Sequence, residues 1–171
     1  MRQNYSSPLS EIRIRNHFEP GDIGTIIGLH GRLYHDTYGF GLGFEKYVAR
    51  TFAEFACNFQ ETKDKIWIAA EGRTIKGCIA LVDRGELNAQ LRYFIVTPDV
   101  RGQGLGRLLF GSYMQHIHDH GYETVYLWTT ANLQAAASLY LDAGFRLAEQ
   151  KSSDTFGLPL LEQRYVWEKS K

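Results

Sequence analysis

The chain is short of most features that would mark a specialised class. Its 171 residues include two cysteines, four prolines and two methionines. Two cysteines cannot build a disulfide framework. Cys57 and Cys78 each stand in an apolar setting, in "EFACNF" and "KGCIAL"; one disulfide between them is the alternative, and two free thiols in a reducing cytoplasm are the expectation. Neither sign of charge is in excess: Lys+Arg and Asp+Glu number 19 each, for a formal net charge of zero. A nucleic-acid partner calls for a basic excess or stripe, so none is expected. No apolar run approaches the ~18 residues of a membrane span. The start, "MRQNYSSPLSEIRIRNHF", lacks the apolar core of a secretion signal. Linkers, repeats and low-complexity stretches are missing too. The 44% hydrophobic content suits one globular domain with a sizeable core. The expectation is a flexible N-terminus over residues 1–10 and a single domain over 11–171.

What is present alternates between two periods. "EIRIRNHF" alternates apolar and polar residues like a strand with one wet face. After the Pro20-Gly21 break, Asp22 is a candidate N-cap for a helix over "IGTIIGLHGRLY". "TYGFGLG" (37–43) reads as a loop. Phe44, Val48, Phe52, Phe55 and Phe59 then fall on one helical stripe, expected to be core. Three strands follow at 65–71, 75–83 and 87–96, with Gly72 and Gly85 at the turns. A long helix is expected from about 104 to 120, a strand at 124–130, a short helix at 133–143, and two last strands in "FRLAEQ" and "LLEQRYVWEK". The order β-α-α-β-β-β-α-β-α-β-β indicates an α/β (α+β) fold: a mixed, mostly antiparallel central sheet with helices on both faces. The strand pair flanking the long helix should be parallel.

The most informative stretch is "VTPDVRGQGLGRLLF" (96–110). A strand ends and a glycine-rich turn opens a helix. Gly102, Gly104 and Gly106 let a ligand approach the backbone, and the first helical amides with the helix dipole favour a phosphate. Arg101 and Arg107 add fork-shaped donors. The stretch is not a Walker loop, because no Lys-Ser or Lys-Thr follows, and the third glycine of a dinucleotide fingerprint is replaced by Arg107. Taken alone, the glycines also suit a tight packing turn.

The pattern R-x-x-G-x-G, Arg101 to Gly106, resembles the pyrophosphate-binding motif of the GNAT N-acetyltransferase superfamily. "AASLYLDAGF", with Ala136, Tyr140, Gly144 and Phe145 in register, is similar to the next strand–helix segment of that superfamily. The resemblance runs over about residues 11–169. "LHGRLYHDTYGFGLGFEKYVARTFAEF", "LWT" and "TFG" are also similar to the acetyltransferase domain fused behind MarR-type winged-helix regulators in bacteria. The chain leaves no room for a winged helix, so DNA binding is not carried over.

The resemblance implies binding of acetyl-CoA as co-substrate and direct transfer to an amine of a small molecule or amino acid. Backbone groups of Phe94, Ile95 and Val96 would meet the pantetheine in a gap between strands 87–96 and 124–130. The stretch Arg101, Gly102, Gln103, Gly104, Leu105, Gly106 and Arg107 would hold the pyrophosphate, with Asn132 and Ala136 as further contacts. Tyr140 would be the general acid, since a phenol is neutral at pH 7 and can protonate a thiolate. Candidates to receive the acceptor's proton are His30, Tyr34, His35 and Glu45, with Glu45 the first choice; its other reading is a solvated carboxylate at a helix start. Tyr34 and Arg92 are expected on the acceptor side, and Arg92 would pair with a substrate carboxylate or a neighbouring acid. His116 and His120 share a helix face, but no third ligand is evident and no metal is expected. A non-catalytic acyl-CoA sensor is the alternative function. Dimers are common among similar proteins.

Overall fold

A computed structural model describes residues 11–170; the expected flexible segment 1–10 lies outside the described residues. The elements are β1 (Ile12–Arg15), α1 (Asp22–Tyr38), α2 (Leu42–Cys57), β2 (Lys65–Glu71), β3 (Thr74–Asp83), β4 (Asn88–Val96), α3 (Leu105–Asp119), β5 (Thr124–Thr130), α4 (Gln134–Asp142), β6 (Arg146–Ser153) and β7 (Leu160–Glu168). Their order is the expected one, with one added 3-10 turn, Pro98–Val100, ahead of α3. The expected loop at 37–43 shrinks to Gly39–Gly41, because both helices run into it.

The seven strands form one sheet in the order β1-β2-β3-β4-β5-β7-β6. Every neighbouring pair is antiparallel except β4 and β5. One face carries α3 and Tyr140 of α4, on a core of Leu105, Leu109, Tyr113, Leu127 and Trp167. The other carries α1 and α2 on a core of Ile26, Phe44, Val48, Phe52 and Phe55. The phenylalanine stripe of α2 is therefore core, as its spacing requires. Cys78 is buried in β3, whereas Cys57, expected in an apolar setting, is exposed at the last turn of α2. His116 is not the solvated side chain its position suggests. It packs on Trp67 (ring centroids 5.7 Å) and stacks on His120 (3.7 Å), and burial pushes its imidazole down to about 4.

One irregularity divides the sheet. Pairing of β3 with β4 passes from Ala80↔Arg92 to Cys78↔Ile95, so Ile79 alone opposes Tyr93 and Phe94. This is a β-bulge, with Tyr93 in the left-handed region at φ 54°. Because side chains alternate with period 2, one extra residue swaps the faces. Ala89 and Leu91 point to the α3 face, while Tyr93 and Ile95 point to the α1–α2 face. The left-handed position costs about 1–2 kcal/mol for a residue with a Cβ. It is offset by packing: the Tyr93 ring meets Phe52 edge-on at 4.6 Å and Phe55 at 5.5 Å, and its carbonyl accepts the Cys78 thiol at 3.1 Å.

The bulge also ends the parallel pairing. β4 and β5 are in register only at Asn88↔Thr124, Ala89↔Val125 and Gln90↔Tyr126. Beyond these, β4 stays with β3 as far as Val96 and β5 stays with β7 as far as Thr130. A wedge opens between them.

Helix α1 is pinned by an ion pair rather than by the expected cap. Its N-cap is Gly21 in the left-handed region, and Asp22 is the first helical residue. The Asp22 carboxylate accepts both Arg15 guanidinium nitrogens at 2.7 Å and the Glu19 amide at 2.6 Å. Asp22 is 6% exposed. Burial by itself raises the Asp22 carboxyl, but the bonds from Arg15 and Glu19 outweigh it and hold the group below the usual carboxylate range. Asp22→Asn leaves Arg15 only the exposed Glu19 carboxylate at 3.8 Å and should cost about 2–4 kcal/mol of stability by urea unfolding. A carboxyl depressed on folding stabilises fully above its unfolded pKa, near ~4, and the contribution fades as pH falls through the folded value. The gap between parent and variant should therefore be complete at neutral pH and close only below about pH 4.

Candidate active site

Behind the wedge stands the free end of α3. The first helical bond is Leu108 N–H to Gly104 C=O at 3.0 Å, so the amides of Leu105, Gly106 and Arg107 have no helical acceptor. Gly102 and Gly104 sit at φ 73° and 94°, with open space where a Cβ would stand. Gly106 is different. It has helical geometry, and a Cβ there would touch Val96 and Phe94 at 3.7 and 3.8 Å. Leu105 turns its side chain into the core and offers the turn only backbone. Gln103 braces the turn by donating to the Asp99 carbonyl at 3.0 Å. Arg107 is exposed at the opening. A bare backbone with free amides, backed by a helix N-terminus, fits a pyrophosphate.

Arg101 is less free than the sequence implies. Its Nε donates to the Val96 carbonyl at 2.9 Å, which ties the turn to the end of β4 and occupies one expected pantetheine contact. Ile95 is turned the wrong way. A Cβ on Gly77 of β3 would meet the Ile95 carbonyl at 2.8 Å, so that carbonyl points at β3 and not into the wedge. By alternation, the backbone of Phe94 faces the wedge.

The wedge leads into a cavity of about 510 Å³ between α1, α2, β4, β5, α4 and the β6–β7 loop. Leu133, Ala136 and Tyr140 line it at spacings of three and four residues, one face of α4 and its approach. Tyr140 is 4% exposed, with Phe110, Phe145 and Tyr165 around its ring at 5.8–6.0 Å. Burial raises its phenol far above the ordinary value, so it is neutral at any working pH and can only donate or share its proton. Asn132 neither lines this cavity nor caps α4; it accepts the Thr130 hydroxyl at 2.6 Å.

The opposite wall is aromatic. Tyr34 stacks on Phe44 (4.5 Å), and Phe156 of the β6–β7 loop packs on Phe40, Phe44 and Tyr47 at 5.0–5.6 Å. Two glycines admit that loop. The Gly41 amide donates to the Phe156 carbonyl at 2.7 Å, and a Cβ on Gly43 would stand 2.7 Å from the Thr155 carbonyl.

Glu45 does not face the cavity. Phe44 and Val48 turn inward, which leaves Glu45 exposed on the side of α2 next to α1. There it lies across Gly31, where a Cβ would come within 2.9 Å of it. His35 is turned aside as well, bonded to the Phe40 carbonyl. His30 does line the cavity, buried, with Nδ1 against the Ile26 carbonyl at 2.8 Å. A carbonyl only accepts, so Nδ1 carries the proton and Nε2 keeps its lone pair. The carboxylate in the lining is Glu162 of β7, which pairs with Lys151 at 3.5 Å; Lys151 also stands 4.6 Å above Trp128. These three lie far along the chain, on strands where alternation marks a face but not what the face meets. Among the described residues, no three His, Cys, Asp or Glu gather into a metal-binding group, and no helix is long and apolar enough to cross a membrane.

Burial pushes the His30 imidazole down to about 4. A histidine depressed on folding stabilises fully above its unfolded pKa, near ~6.5, and loses that contribution as pH falls toward the folded value. Nitrogen-15 spectra should show a neutral His30 with the proton on Nδ1 from pH 8 down to about 5. A protonated ring at pH 6 would contradict this geometry.

The acetyltransferase (GNAT) family model matches residues 32–145, from the middle of α1 to the end of α4. N-acetyltransferase 8F1 of Rattus norvegicus is 28% identical over 138 residues, 73% of this chain and 62% of that protein, so the chain spans about three-fifths of that relative's length. An acetyltransferase of the GNAT family from Staphylococcus aureus Mu50 superposes with a TM-score of 0.75 at 16% identity, covering 92% of this chain and 98% of that one. A Salmonella typhimurium protein solved with its cofactor acetyl-CoA superposes at 0.71 and 16% identity, covering 92% of this chain and 94% of that one. The family match takes in the splayed strands, the glycine turn and the tyrosine helix together, and on that basis the chain belongs to the GNAT acetyltransferase family.

Proposed function

We propose that this protein is an acetyl-CoA-dependent N-acetyltransferase acting on the amine of a small molecule. One observation carries the reading. The wedge between β4 and β5 joins a cradle of free amides on one side of the sheet to an aromatic cavity on the other, with neutral Tyr140 in the cavity wall.

Bound acetyl-CoA supplies an acyl carbon activated as a thioester. The amides at the start of α3 hold the pyrophosphate, and the Phe94 backbone faces the arm that crosses the wedge. An amide there also stabilises negative charge growing on the thioester oxygen. The acceptor enters the cavity as an ammonium and loses one proton to solvent. Its nitrogen forms the N–C bond while the C–S bond breaks and the sulfur leaves with the electron pair. Tyr140 gives its proton to that sulfur and recovers one from the new amide nitrogen, which balances the step. His30 takes the place expected of Glu45 on the acceptor side, where its Nε2 lone pair accepts an N–H of the amine and orients it.

The alternative, an acyl-CoA sensor without turnover, draws on the same cradle. It is favoured by the pairing of the cavity's carboxylate, Glu162, with Lys151, which leaves no free anionic base in the lining. Thiol release with a panel of amines separates the two.

Acetyl-CoA at a hundredfold excess over its Kd should raise the melting temperature by about 5–10 °C, and NAD should not. Tyr140→Phe should keep that shift and lower kcat for thiol release by roughly 10²–10⁴-fold. A parent protein that shifts but releases no thiol would establish the sensor. A protein that does not shift at all would sink both readings.

A further inference from the structure

Among the described residues, Arg92 on the acceptor side is a half-buried cation with no carboxylate within ion-pair distance. Arg50, Arg92 and Lys151 line the cavity against the single carboxylate Glu162. Lys151 is already paired with Glu162, and Arg50 is exposed. Arg92 belongs to β4 itself, beside the bulge. One Nη2–H donates to the Tyr47 hydroxyl at 2.9 Å, and the guanidinium lies over the rings of Tyr93 at 4.7 Å and Tyr47 at 5.7 Å. These contacts fix the plane of the fork but supply no charge, and they leave most of its five N–H donors unassigned.

Of the acids nearest in the fold, two are engaged elsewhere, and the third, Glu54, is exposed to solvent and outside ion-pair distance of Arg92. A second hollow of about 400 Å³ shares Arg92 and Tyr93 with the cavity and carries Glu54, Asp64 and Asp83. Asp64 accepts the amides of Gln60 and Asp83. Asp83 accepts the Gly85 amide and the Tyr122 hydroxyl. Among the described residues, no carboxylate comes within ion-pair distance of Arg92. The coenzyme phosphates are not its partner either: Arg92 follows Leu91 of the α3 face and pairs with Ala80, so alternation sets it on the α1–α2 face, across the sheet from the α3 cradle.

We infer that Arg92, braced by Tyr47, grips a carboxylate on the acceptor. The acceptor is then an amino acid, with its α-amine at the Phe94–Tyr140 end of the cavity and a large apolar or aromatic side chain against Tyr34, Phe44 and Phe156. Arg92 and Phe94 stand two residues apart on β4, on either side of the bulge residue and both lining the cavity, close enough for one small molecule to meet both. A planar fork held by aromatic faces matches a carboxylate in two parallel bonds, which a lysine could not do. Peptide amines and polyamines lack that anion and leave the guanidinium unanswered. This inference rests on the transferase reading for the role of the amine, but not for the grip on the carboxylate.

The test pairs turnover with binding. Phenylalanine, tyrosine, tryptophan and leucine are compared with their amides, first in thiol release and then by calorimetry on the protein saturated with CoA. The parent should favour at least one acid over its amide by roughly 30-fold in kcat/KM. In Arg92→Gln that ratio should collapse toward unity. In Tyr47→Phe, which keeps the ring and loosens the fork, KM for the acid should rise with kcat little changed. An acid bound by the parent and lost in Arg92→Gln, with no thiol released, would uphold the grip and overturn the transferase. A parent that takes the amides as well as the acids, or binds none of them, would overturn the inference. So would a variant that keeps the full preference, since Arg92 would then serve only to lock the bulge.

Discussion

The site depends on one backbone position, Tyr93, held in the left-handed region where β4 carries one residue more than β3 can pair. A tyrosine does not adopt that geometry freely. It is kept there because its ring is seated among Phe52, Phe55 and Arg92 and its carbonyl is claimed by the Cys78 thiol. That seat trades strain in β4 for two gains. The strand parts from β5 after three residue pairs, and its side chains change faces partway along. A ligand can then pass through the sheet rather than over its edge.

The two faces divide the work by their electrostatics. On the α3 face the positive ends of free amides and exposed arginines wait for a highly charged group, and water can reach them. On the α1–α2 face burial holds the phenol of Tyr34 protonated and the imidazole of His30 neutral, and across the wedge it holds the phenol of Tyr140 protonated. In such a place a hydrogen bond is stronger than in water, and an uncompensated charge is costlier. Arg92 is the exception in β4, a permanent charge surrounded by rings, and that contrast singles it out.

Much of this arrangement is legible along the chain. The period-2 runs and the 3.6-residue stripe of α2 place the elements to within a residue or two at most of their ends. Gly72, Gly85, Gly102 and Gly104 fall where a positive φ is needed. Other features are invisible there. The carboxylate at position 45 looks like a base because it opens a helix among site residues, yet the turn of that helix points Phe44 inward and Glu45 across Gly31. Asp22 looks like a cap, yet Arg15, seven residues earlier on another element, draws its carboxylate away. Lys151 of β6, Glu162 of β7 and Phe156 of the loop between them complete the cavity, and they reach it only when the sheet is assembled in the order β5-β7-β6.

The element order, the mixed sheet, the glycine turn that opens α3 and the tyrosine register of α4 can all be read along the chain. Each follows from local rules: side-chain period, backbone freedom at glycine, and free amides at a helix start. Where β4 and β5 part, how the faces of β4 change beyond Arg92 and which base candidate reaches the cavity are settled only when the strands and helices are assembled. The reason is geometric. A bulge is a mismatch between two strands, and one extra residue inverts the faces of everything after it, so neither strand records the outcome alone.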